Sequence, residues 1–129
     1  GKKFRFVNVA ALSYNAIGTR ERKLKQGEFD QMFSKDKYII ANFHGYPAVL
    51  EQILGCYAER GRFTVHGFEE HGSTTTPFEM LSCNHASRYH LALDVAKREK
   101  RQDLVEKYQR ILKENTEYAH EHGVDQVGI

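Results

Sequence analysis

The chain has 129 residues, 40% apolar and 28% charged, with 10 Gly and 2 Pro. That is enough chain for one buried core, read as a single domain over residues 1–129, and it excludes disordered, collagenous and low-complexity proteins. A net charge of +2 does not point to nucleic acid. The basic runs at residues 20–25 and 97–101 are each broken by Glu and carry no interleaved aromatics, as solvated faces do.

Residues 3–11, KFRFVNVAA, alternate with Phe4, Phe6 and Asn8 on one face and Arg5, Val7 and Val9 on the other, which predicts a strand. Residues 13–26 are polar and aperiodic and read as a long excursion. A short helix over residues 27–36 would present Phe29, Met32 and Phe33 together. The apolar run KYIIANF, residues 37–43, predicts a strand buried on both faces of a parallel sheet. After HGYP, the spacing of Val49, Leu50, Ile53, Leu54, Tyr57 and Ala58 predicts an amphipathic helix with Pro47 in its first turn and Gly61 at its end.

RFTVHGF, residues 62–68, reads as a third strand. A helix starting at Pro77 is expected to break over residues 84–87. Amphipathic helices then follow over residues 87–98 and 103–122. Strands separated by helices predict an α/β fold of three-layer type, with a mostly parallel sheet and right-handed crossover helices.

Several patterns could carry chemistry. In HGSTTTPFEML, residues 71–81, Thr76, Pro77 and Glu79 form the T-x-x-E pattern of a capping box. Ser73, Thr74 and Thr75 in front of that helix start could instead seat an anion. Glu79 already occupies the positive end of the helix, and Glu69 and Glu70 add negative charge, so capping is the stronger reading. Of the seven histidines, His85 and His90 are five apart and His120 and His122 two apart, neither matching a helical zinc pair. Cys56 falls on the apolar face of the helix after HGYP and reads as packed; with Cys83 it lacks CxxC spacing, so reduced thiols in a cytoplasmic protein are expected. No apolar run approaches the roughly 20 residues of a membrane span. His44 and Tyr46 stand at the carboxyl end of a strand, the edge where α/β sheets bind ligands. The plainer reading is that both side chains hydrogen-bond the strand end to its neighbouring loop.

FHGYP (residues 43–47), VHGFEEHGSTTTPFEM (65–80), NHASRYHLALDV (84–95) and EHGVDQVGI (121–129), in that order, closely resemble the carboxyl-terminal region of phosphoketolases. KFRFVNV and FDQMFSKDKYII extend the likeness over almost the whole chain. The resemblance implies a thiamine-diphosphate enzyme, with a divalent metal such as Mg, that uses phosphate to cleave xylulose 5-phosphate, and in many members fructose 6-phosphate, into acetyl phosphate and a shorter sugar phosphate. Such enzymes have three transketolase-like α/β domains, the first two binding the cofactor across a homodimer interface.

This chain resembles the third domain, onto which no catalytic, cofactor-binding or metal-binding residue can be carried, so inactivity in isolation is expected. It departs from the family in lacking the strand and helix that open that domain. An unpaired apolar edge prone to self-association is therefore expected. The implied partners are the two cofactor domains and a second protomer, with no nucleic acid and no membrane. The implied role is structural, in domain packing, the dimer interface and the substrate-channel wall. Two alternatives are an effector-binding regulatory domain, using His44, Tyr46 or residues 73–77, and a freestanding small α/β ligand-binding module.

Overall fold

A computed structural model of the chain describes residues 3–9, 24–69 and 75–129. The elements in order are α1 (Gln26–Phe33), β1 (Ile39–Asn42), α2 (Pro47–Leu54), a 3-10 turn (Arg60–Arg62), β2 (Phe63–His66), α3 (Pro77–Cys83), α4 (Arg88–Arg98) and α5 (Gln102–His122). β1 and β2 form a parallel two-stranded sheet joined through α2, and the mixed α/β class expected from the sequence holds. By contact the chain divides into two compact units, Gly1–Ala41 with Ala48–Val65, and Asn42–Pro47 with His66–Ile129.

In the first unit the centre is Phe29 of α1, fully buried. Its ring stacks on Tyr57 at 4.7 Å between centroids and meets Phe33 at the same distance, tilted by 39°. Arg62 closes the other end of α1. Its guanidinium donates to the carbonyls of Phe33 (3.2 Å) and Ser34, and to Lys37 O (3.0 Å), while lying 6.0 Å from the Phe29 ring. The carbonyls of Phe33 and the C-cap Ser34, which lack intrahelical partners, are thereby satisfied. Ile39, Leu50, Leu54, Phe63 and Val65 are also buried.

Four expectations are corrected here. Residues 3–9 form no strand, with Phe4 75% and Phe6 90% exposed. Arg5 instead ties this segment to α1, donating to Gln31 O at 2.6 Å and Met32 O at 3.1 Å. The alternation persists in burial, with Val7 and Val9 half-buried and Phe4, Phe6 and Asn8 exposed. A strand, however, is made by a hydrogen-bonded neighbour, which alternation cannot supply. β1 is not covered on both faces, since only Ile39 is buried in it. α2 stops at Leu54 rather than continuing through Ala58. Gly55 follows its last residue, and the chain tightens into a turn with Tyr57 N–H donating to Leu54 O at 2.9 Å. Cys56 is consequently exposed, contrary to the packed position expected of it, and its Sγ lies 3.5 Å from Gln52 O. Most of the polar excursion expected over residues 13–26 lies outside the described residues.

The second unit is helical. Its core is Leu93 and Ala96 of α4 against Val105 of α5, flanked by Leu104, Tyr108 and Leu112. The break between α3 and α4 falls over residues 84–87 as the sequence predicts, with Ser87 accepting the His90 backbone N–H at the start of α4. α5 runs 21 residues and ends at Gly123, whose φ of 67° is the left-handed conformation that closes helices and suits glycine. Among the described residues no helix is long and apolar enough to cross a membrane.

Candidate functional site

Two loop ends of the second unit carry the candidate residues. The first is the start of α3. Thr76 is its N-cap with extended backbone; its Oγ1 accepts the Glu79 N–H at 3.2 Å, and Glu79 Oε2 accepts the Thr76 N–H at 3.2 Å. This is the reciprocal capping box that the sequence predicts. Pro77 at the first helical position has no N–H to satisfy, and Asp125, from the segment after α5, accepts the Phe78 N–H at 3.0 Å. Glu79 is buried and its Oε1 lies 3.2 Å from Nε2 of exposed His120. Two carboxylates of the chain therefore sit at the positive end of this helix. Thr75 precedes the cap and is half-buried, while Ser73 and Thr74 lie outside the described residues.

The second is the end of β1. Phe43 N–H donates to His66 O at 2.8 Å and Phe68 N–H to Gly45 O at 2.8 Å, so residues 42–47 are knitted to residues 66–68 through the backbone. Gly67 makes the crossing possible. A Cβ there would lie 2.5 Å from Gly45 O and 2.5 Å from a Pro47 ring carbon, closer than any side chain tolerates. The His44 ring stacks on Phe68 at 5.3 Å and is exposed; Tyr46 is 59% exposed. The tie between strand end and loop is thus made by main-chain groups and a ring stack, where side-chain hydrogen bonds of His44 and Tyr46 were expected. The fold brings His44 and Tyr46 to one loop.

A third cluster escaped the sequence reading. His66, the last residue of β2 and 8% exposed, has Nε2 at 2.7 Å from Asp94 Oδ2 of α4. One turn earlier on α4, His90 Nδ1 is 2.8 Å from the buried Ser87 Oγ. His85 brings its ring edge-on to His90 at 4.9 Å. The helical spacing weighed for His85 and His90 does not govern this contact, because His85 precedes α4 in a turn with φ 53° and is not on the helix. Burial, then the neighbouring imidazoles of His85 and His66, push the His90 imidazole down to about 4, against the pull of Asp94. The only signal in the sequence was His90 and Asp94 four apart on a predicted helix. His66 is 28 residues from Asp94, and no spacing rule reaches that far.

The fold and these loops define a mixed α/β domain with a self-capped start of α3 and a ring pair at the end of its sheet. A family model described as the XFP C-terminal domain matches residues 2–129, and the chain belongs to this family, the carboxyl-terminal domain of phosphoketolases. Among curated relatives, one from Pseudomonas putida named "Probable phosphoketolase" is 36% identical over 129 residues, covering 95% of this chain and 16% of the relative. One of the same name, numbered 1, from a Nostoc species is 35% identical over 133 residues, covering 98% and 16%. A relative from Schizosaccharomyces pombe is 44% identical over 69 residues, covering 54% of this chain and 8% of its own. The chain thus spans about one-sixth of the length of the Pseudomonas and Nostoc relatives.

Proposed function

We propose that this chain serves as the carboxyl-terminal domain of a cytoplasmic phosphoketolase that cleaves xylulose 5-phosphate, and fructose 6-phosphate in members accepting it, with phosphate to acetyl phosphate and a sugar phosphate. Its role is structural: it packs on two cofactor-binding domains of the same polypeptide, extends a homodimer interface and walls the substrate channel. The observation that carries this reading is the family match over residues 2–129 in a chain spanning 16% of relatives named as phosphoketolases. Thiamine diphosphate and Mg belong, on this reading, to the other two domains. The carboxylates described here do not fit that pair: Glu79 and Asp125 each accept a helix N–H, and Asp94 is held by His66.

Acetyl phosphate formation tests the assignment. With xylulose 5-phosphate, phosphate, thiamine diphosphate and Mg, full-length enzyme containing this domain is expected to make acetyl phosphate and the 129-residue chain alone to make none. Product from the chain alone would overturn the structural role. The effector-binding reading draws on exposed His44, stacked on half-buried Phe68, with exposed Tyr46 in the same loop. Saturable heat on titrating ATP into the chain, abolished by His44→Ala, would favour that reading. A freestanding module is favoured instead if the reading frame does not continue upstream into cofactor-binding domains.

A further inference from the structure

The histidine cluster is placed where it can govern the open loop. His66 holds two partners at once: its side chain reaches Asp94 on α4, and its carbonyl accepts the Phe43 N–H immediately before His44. The next residue, Gly67, is packed without clearance against Gly45 and Pro47. A shift of His66 must therefore move the loop that carries His44 and Tyr46.

The charges around His90 are unbalanced. His66 faces it from β2, His85 from the turn before α4, and Asp94 and Lys97 from α4 itself. One carboxylate thus stands among three imidazoles and an ammonium, and His66 already occupies it at 2.7 Å. Neutral His90 is well served. The Ser87 hydroxyl accepts the His90 backbone N–H at 3.4 Å and can donate to Nδ1 at 2.8 Å, which satisfies both groups and caps α4. A protonated His90 cannot accept that hydrogen, and one helical turn separates it from Asp94, the spacing at which side chains on a helix meet.

We propose that His66, His85, His90, Ser87 and Asp94 form an acid-sensitive latch: neutral His90 leaves the Asp94 carboxylate to His66, and protonated His90 draws it away, freeing the end of β2 and the loop bearing His44 and Tyr46. The proposal rests on the geometry of this unit and is independent of the phosphoketolase reading. The sign follows from linkage. His90 is held near 4 when folded against an ordinary 6.5, so the unfolded or opened form binds the proton more readily. Closure is complete above about pH 6.5 and weakens as pH falls from there toward about 4.

Amide hydrogen exchange on the full chain, corrected for the intrinsic pH dependence of exchange, reads the latch at Phe43 and Phe68. Protection of both amides is expected to be constant above about pH 7 and to fall about threefold to tenfold by about pH 5.5, the lower figure allowing for solvent screening at a half-buried ring. In His90→Gln, which cannot acquire the charge, protection should stay level across that range. A flat wild-type profile, or the same fall in His90→Gln, would overturn the latch. If His90→Gln does not fold, the wild-type His90 ring resonance decides: a titration midpoint well below 6.5 supports the proposal, and one at 6.5 or above refutes it.

Discussion

The start of α3 and the end of β1 belong to the same unit and have opposite characters. At the start of α3 the first amides are taken: Thr76, Glu79 and Asp125 accept them, and Pro77 brings none. At the end of β1 the backbone is equally committed, through Phe43 to His66 and Phe68 to Gly45, yet the His44 ring and Tyr46 phenol face solvent. The helix start at Thr76 therefore closes on itself, and the HGYP loop keeps side chains available. What separates the two is the carboxylates: two at a helix N-terminus neutralise the site that would otherwise attract an anion.

Substitutions can break this contrast. The largest effect is expected at Gly67→Ala, where the added methyl meets a carbonyl and a proline ring at 2.5 Å. Overpacking of this kind costs about 1–3 kcal/mol, to be read by denaturant unfolding. Wild-type stability would mean that the two loops are not interlocked. Thr76→Ala should cost about 1 kcal/mol through loss of the cap, and an unchanged melting temperature would sink the capping assignment. The smallest effects belong to His44→Ala and Tyr46→Ala, each within about 0.5 kcal/mol because the side chains are exposed. A larger loss at either would show that the loop depends on them for its own shape.

The legible parts of this fold were the local ones. Thr76, Pro77 and Glu79 lie within four residues, and the α4 and α5 periodicities need only their own turns, so caps and helices could be read from sequence. The FRFVNV segment could not, because its alternation is real but its strand would need a partner. The end of α2 was missed for a related reason: Tyr57 keeps the apolar spacing while leaving the helix to stack on Phe29. Of the candidate site, His44 and Tyr46 were visible as residues at a strand end. The pairing of His66 with Asp94 was not, since it exists only once β2 and α4 have been brought together.

The most direct test of the closed α3 start is a titration of inorganic phosphate into the chain, followed through the amide resonances of Phe78 and Glu79. With Asp125 and Thr76 already accepting those two N–H groups, millimolar phosphate should leave both resonances in place. A saturable shift of both, deepened in Asp125→Ala, would show that the hydroxyl row seats a phosphate and would contradict the account.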